Sequence, residues 1–147
     1  MNNINIDGVH LTPLRNIQVI GGNVLHALKK SESSFIDFGE AYFSCVEHDV
    51  VKAWKKHTRM TLNLIVPVGA IKFAIIDDNH AQSKFNTITL SLDNYYRLTV
   101  APGLWVGFKG MDKITSILLN IADIEHQPDE VEKVPESEFK FDWKGTQ

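Results

Sequence analysis

The feature that most constrains this chain is the rhythm of its apolar residues. Short apolar runs recur along it, and nearly every one is closed by Gly, Pro, Asn or Asp. Val9 to Leu14, Asn16 to Ile20 and Val24 to Leu28 read as three short entry strands, with Lys30 to Ser34 as a polar loop. Glu40 to Val46, Val50 to Thr58 and Met60 to Val66 follow. Pro67-Val68-Gly69 then reads as a turn into Ala70 to Ile76, which ends at Asp77-Asp78-Asn79. Asn86 to Leu92, Tyr96 to Val100, Leu104 to Phe108 and Ile114 to Ala122 complete the set. No stretch of a dozen residues repeats apolar residues at the helical period. Strands this short, with turn residues at regular intervals, predict an all-β sandwich or barrel.

Alternation then sorts side chains. Along Val50 to Thr58, successive side chains of an extended strand point to opposite faces. Val51, Ala53, Lys55, His57 and Arg59 are expected on one face, with Val50, Lys52, Trp54, Lys56 and Thr58 on the other. Beyond the last strand, Glu125 to Ser137 is acidic and carries prolines, and is expected as an ordered but exposed segment. FKFDW at Phe139 to Trp143 is apolar enough to lock onto the barrel surface.

The 147 residues suit one domain with a sizeable core. A net charge of −3 gives no electrostatic reason to expect nucleic acid. The basic cluster Lys52, Lys55, Lys56 and Arg59 suits a phosphate-bearing small molecule better than a duplex, or a solvated face. Cys45 is the sole cysteine, so no disulfide framework is expected; its apolar setting in AYFSCV predicts a buried thiol. No apolar run reaches membrane-spanning length and MNNINIDGVH does not read as a signal peptide, so the expected location is cytoplasmic. A three-His metal site on a β-barrel needs two His on one strand and a third nearby. His48 and His57 are nine residues apart and His80 falls in a loop, so no metal is expected.

The order of these segments resembles the nucleotide-sugar 3,5-epimerases, typified by dTDP-4-dehydrorhamnose 3,5-epimerase, and the related sugar 3,4-ketoisomerases. GEAYFSCV, VVKAW, VGAIKFAIID, LDNYYRLTVAPGLWVGF and LLNIAD followed by FDW carry the likeness over most of the chain. The resemblance implies a jelly-roll barrel of the cupin type, a homodimer with an exchanged strand near the N-terminus, and no cofactor. It also implies epimerase or isomerase activity on a nucleotide-linked 4-keto-6-deoxy sugar, in surface-polysaccharide biosynthesis.

The chemical positions depart from the family. The epimerases' Arg-Gly-Leu-His reads Lys52-Ala53-Trp54-Lys55 here, so Lys55 takes the place of the base. The ketoisomerases' Arg-Gly-Phe-His-Ala-His keeps only its second His, as His57. The last-strand Tyr is replaced in Leu118-Leu119-Asn120, and the Asp that orients the base has at best Glu136 nearby. Val106 takes the place of the His in the family's His-Gly-Phe segment, and Asp77-Asp78-Asn79 lacks the substrate-binding Arg. Taking a C–H proton beside a ketone needs a base, an acid to return the proton and a donor to the enolate oxygen.

His57, Lys55 and Tyr42 are the candidates for those roles, with Glu40 as an orienting carboxylate. Lys52 and Arg59 could hold a diphosphate, and Trp105 or Tyr96 could stack on a base. The alternative reading is a barrel that has lost its chemistry and serves as a sugar- or partner-binding module. The partner of His57 discriminates between the two.

Overall fold

The computed structural model describes residues 5–79 and 83–145. Twelve strands are present among them: β1 Val9–Pro13, β2 Asn16–Ile17, β3 Val24–Leu25, β4 Glu40–Val46, β5 Val51–His57, β6 Leu62–Val68, β7 Ala70–Asp77, β8 Lys84–Ser91, β9 Tyr96–Val100, β10 Trp105–Gly110, β11 Ser116–Ala122 and β12 Val131–Lys133. They form two five-stranded sheets, β1-β9-β6-β11-β4 and β12-β5-β10-β7-β8, with β2 and β3 paired separately. All ladders joining these strands are antiparallel. The all-β architecture is the one that the strand rhythm predicts, and its form is the jelly-roll barrel of the cupin type that the resemblance implies.

The two sheets meet through their inner faces. Leu62, Leu64, Leu98, Val100 and Leu118 from the first pack with Ile71, Phe73, Ile75, Ile88, Leu90 and Val106 from the second. Burial of these side chains supplies most of the driving force. The chain passes from the first sheet to the second at Gly69, whose φ of 80° an L side chain rarely adopts. A Cβ there would also stand 2.2 Å from Ser116 Oγ. Pro67 and Val68 belong to β6, so the turn is tighter than Pro67-Val68-Gly69 suggests.

A second apolar cluster covers the outer face of the second sheet. Trp54, Ala74, Ile76 and Trp105 are sealed there by Trp143, with Phe139 and Phe141 packed against them. Trp54 meets Phe139 edge-on at 5.5 Å and Phe141 at 6.1 Å, and its indole N–H donates to the Glu136 carbonyl at 3.0 Å. The FKFDW segment is therefore the lock that its composition suggests.

The acidic segment before it does more than lie exposed. Pro128–Glu130 forms a 3₁₀ turn, Glu130 is completely buried, and β12 pairs with β5 as an added edge strand. Cys45 departs from expectation in the opposite sense: it is exposed. Its strand β4 is a sheet edge, and only the alternate residues, such as Val46, turn inward.

One irregularity sets the geometry of β5. Val106 pairs with Lys55 and Phe108 with Lys52, so Ala53 and Trp54 together oppose Gly107. This is a β-bulge, and it shifts the alternation by one residue. Lys52 consequently joins Lys55 and His57 on the inner face, while Val51 and Trp54 pack on the outer one. The expected grouping of Lys52 with Trp54 is corrected by this bulge. Gly107 permits it, since a Cβ there would lie 2.7 Å from the Ala53 Cβ and 2.8 Å from the Trp54 ring.

Candidate active site

Between the edge strands β4 and β12 the packed core gives way to a cavity of about 540 Å³. Strand β5 contributes Lys52, Lys55 and His57; β4 contributes Tyr42 and Ser44; β11 contributes Asn120; and β12 and its approach contribute Lys133 and His126. Leu62, Leu64, Val106, Phe108 and Leu118 form its apolar floor. All three candidate catalytic residues, His57, Lys55 and Tyr42, share this cavity.

His57 has a carboxylate partner, and it is neither Glu40 nor Glu136. Its Nδ1 lies 2.5 Å from Glu130 Oε1. The other carboxylate oxygen accepts the backbone N–H groups of Arg59 and Met60, each at 3.2 Å. Burial pushes the Glu130 carboxyl upward, but the bonds from His57, Arg59 and Met60 outweigh it and hold it below the ordinary carboxylate range. An ionised carboxylate can only accept, so His57 donates from Nδ1. Nε2 is thereby left as the basic nitrogen of a ring that lines the cavity.

Glu40 is instead bonded to the backbone N–H of His126 at 3.0 Å, because β4 belongs to the opposite sheet from β5. Glu136 gives its main-chain carbonyl to Trp54.

Lys55 stands among cations. Burial, then the charges of Lys133 and Lys52, hold its ammonium below the usual lysine range. Lys133 pairs directly with Lys55 across the β12–β5 ladder. Lys52 donates to the Cys45 carbonyl at 3.2 Å. No Asp or Glu lines the cavity among the described residues, so its walls favour an anion.

Tyr42 pairs with Asn120 across the β4–β11 ladder, and the Asn120 side-chain amide donates to the Tyr42 hydroxyl at 3.1 Å. Asn120 occupies the strand where the resemblance expects a Tyr, and its neighbour across the ladder supplies one.

Three expected substrate contacts fall outside the cavity. Arg59 follows the end of β5, where alternation stops, and its guanidinium reaches Gln127 at 3.0 Å and Asp129 at 3.3 Å. Trp105 lies on the outer face of β10, beneath Lys56 Nζ at 4.9 Å from its ring, and donates to Asp78 at 2.9 Å. Tyr96 packs against the main core. His80 lies outside the described residues.

The sequence reading missed Glu130, Lys133, His126 and Asn120. The signal there is weak: Val131 and Val134 in VEKV are three residues apart and show no period of two, and only Pro128 marks a break before them.

Neither a protein-family model nor a curated protein matches the sequence. Solved structures do. The chain is similar to a dTDP sugar isomerase from Desulfovibrio desulfuricans, with 36% identity over 97% of this chain and 94% of that one, at a TM-score of 0.91. It shares its fold with the sugar 3,4-ketoisomerase QdtA from Thermoanaerobacterium thermosaccharolyticum, solved in complex with TDP, at 19% identity and a TM-score of 0.72 over 87% and 89% of the two chains. The same holds for the epimerase RmlC from Legionella pneumophila, solved with dTDP-4-keto-L-rhamnose, at 13% identity and 0.77 over 90% and 76%. Identity at the level of the first match, spread over nearly the whole of both chains, places this protein in the dTDP-sugar isomerase family.

Proposed function

We propose that the protein is an isomerase or epimerase of a dTDP-linked 4-keto-6-deoxy sugar, working by proton transfer beside the ketone. The observation that carries this reading is the buried Glu130 holding His57 as a base at the wall of a cation-lined cavity. His57 Nε2 takes the α-proton and Glu130 stabilises the imidazolium that forms. The Tyr42 hydroxyl, polarised by Asn120, and Lys55 supply the second proton donor and the donor to the enolate oxygen. Lys52 and Lys133 attract the diphosphate. The chemistry requires no cofactor, because the ketone itself acidifies the C–H bond. A barrel reduced to binding would need Glu130 only for the Arg59 and Met60 N–H groups, and its second oxygen, spent on the His57 ring, favours the enzyme.

The reading extends to a homodimer acting in the cytoplasm in surface-polysaccharide synthesis, as the resemblance implies. Supporting the dimer, β4 is a sheet edge, and Ile36, Phe38 and Phe43 near it are each at least 60% exposed. Light scattering on the protein and on Phe43→Lys tests it; a monomer in both would reject the dimer.

The function is tested with dTDP-4-keto-6-deoxyglucose in deuterated water. Deuterium entering C3 or C5, and failing to enter with His57→Ala, is the expected result. Absence of both exchange and binding, across a panel of dTDP-sugars, would reject it.

A further inference from the structure

A row of buried polar side chains crosses the first sheet. Arg97 is completely buried, and Asn63, Thr99 and Asn120 are each at most 4% exposed. Arg97 Nε donates to Asn63 Oδ1 at 3.1 Å, and the Thr99 hydroxyl donates to the same oxygen at 2.7 Å. The Asn63 backbone N–H donates to Asn120 Oδ1 at 3.2 Å, and Asn120 Nδ2 donates to the Tyr42 hydroxyl at 3.1 Å. The row begins at a cation that Glu32, Ser34 and the Ala27 carbonyl hold in place. It ends at the cavity wall, where Asn120 and Tyr42 both stand.

The direction of the last bond in this row is fixed. A backbone N–H can only donate, so the atom that Asn120 turns to Asn63 is its carbonyl oxygen. The amide nitrogen is thereby turned to Tyr42, and an amide nitrogen can only donate. Tyr42 spends a lone pair on Asn120 and keeps its own O–H. Among the described residues nothing accepts that proton, and the side chain that bears it lines the cavity. Folding alone needs only an acceptor at position 120 for the Asn63 N–H, and a carboxylate would serve as well. The donor half of the amide is what a carboxylate would lack.

We propose that Asn120 is a positioning residue that fixes Tyr42 as a proton donor, its O–H turned toward the bound sugar. The inference rests on the reaction proposed above. His57 Nε2 takes the carbon-bound proton, and the C–H pair enters the enolate. The Tyr42 O–H bond then breaks and its proton joins carbon, while the enolate pair forms the new C–H bond and the carbonyl is restored. The O–H pair stays on the phenolate oxygen, where the Asn120 amide stabilises it by donating. Solvent takes the proton from His57 and returns one to Tyr42, so the cycle closes without a net change in the protein. The rigid row behind Asn120 keeps the amide from turning over, because a flipped amide would set a donor against the Asn63 N–H.

The test reverses that one hydrogen bond. Wild type and variants are given dTDP-4-keto-6-deoxyglucose in deuterated water, and deuterium entry and net conversion are followed together. Asn120→Asp can still accept from Asn63 but takes the Tyr42 proton instead of donating. Asn120→Asp and Tyr42→Phe should each lower conversion by about a hundredfold or more, while deuterium still enters through His57 and dTDP still binds. Asn120→Ala releases Tyr42 without reversing it, and its conversion should fall between those of Asn120→Asp and wild type. A purely structural role predicts the opposite order, because Asp is the closer replacement in shape. In the Tyr42→Phe background Asn120→Ala should add no further loss, an arm that stands even where Asn120→Asp fails to fold. Wild-type conversion by Asn120→Asp, a greater loss in Asn120→Ala, or losses that multiply in the double variant would overturn the proposal and leave the isomerase reading intact. A wild type that neither exchanges deuterium nor binds dTDP would remove both.

Discussion

Lys133 sits directly opposite Lys55 across the β12–β5 ladder. The two ammonium groups belong to segments nearly eighty residues apart in sequence, so the fold brings them together against their mutual repulsion. Such an arrangement is retained where a bound anion relieves it. It links the basic character of the cavity to the addition of β12 as an edge strand.

Replacing Lys133 by Ser should therefore act in opposite directions on the free and the bound protein. Directly opposed like charges cost a few tenths of a kcal/mol up to about 1 kcal/mol, so the free variant should melt slightly higher. Its stabilisation by saturating dTDP should shrink. Thermal melts with and without dTDP check both signs, and a larger dTDP shift in the variant would contradict the assignment. The charged form of Lys55 is the one penalised in the fold. Lys55→Met should likewise raise the melting temperature near neutral pH.

Removing the base should separate catalysis from folding. His57→Gln should lower kcat by about 10²- to 10⁴-fold while leaving the circular dichroism unchanged. Glu130→Gln can keep the bonds from Arg59 and Met60 through one oxygen, but it no longer favours an imidazolium at His57. Its loss should fall mainly on kcat, with KM little changed. A Glu130→Gln enzyme of wild-type kcat would show that the His57 contact is purely structural.

The acid limit of stability follows from Glu130. Its folded value lies below its unfolded one, which is about 4.3. The stability it contributes is complete above the unfolded value and is lost as pH falls through the folded value. Acid titration followed by tryptophan fluorescence should report this at Trp54 and Trp105, which the C-terminal segment covers, and at Trp143 within that segment. Glu130→Gln should lose the part of the pH dependence below about pH 4.3. An unchanged acid limb would place the sensitivity elsewhere.

Gly107→Ala tests the bulge. The new methyl would lie within 2.8 Å of both Ala53 and the Trp54 ring. Such overpacking costs about 1–3 kcal/mol, and the opposing pair cannot keep its register. Urea unfolding should show the loss, and activity should fall further than stability because Lys52, Lys55 and His57 shift together. A variant as stable and active as wild type would show that the strand pair accommodates the methyl.

Strand rhythm made most of the architecture legible. Residues 40–46 and 96–100 form strands at the expected boundaries, because each run is long, apolar and flanked by strong turn residues. Asn16 to Ile20 and Val24 to Leu28 shrink to two-residue strands, since Gly21-Gly22 and the exposed Val19 and Ile20 give them nothing to pack on. The inward turn of Lys52 was not legible, because the alternation of β5 is broken by Gly107 in a strand more than fifty residues later. Glu130 was missed for a related reason. In sequence it is one acid among several, and only its contact with a strand on the far side of the chain singles it out. The buried Arg97, bonded to Asn63, Ala27, Glu32 and Ser34, escaped notice in the same way.

The contact between His57 and Glu130 spans 73 residues. During synthesis the strand bearing His57 is made long before its carboxylate, and β6 to β11 are made in between. A nascent chain can thus acquire its barrel before it acquires a competent base. Sugar nucleotide met by such a chain would find cations and a cavity but no oriented imidazole, so the site is silent until the segment bearing Glu130 docks.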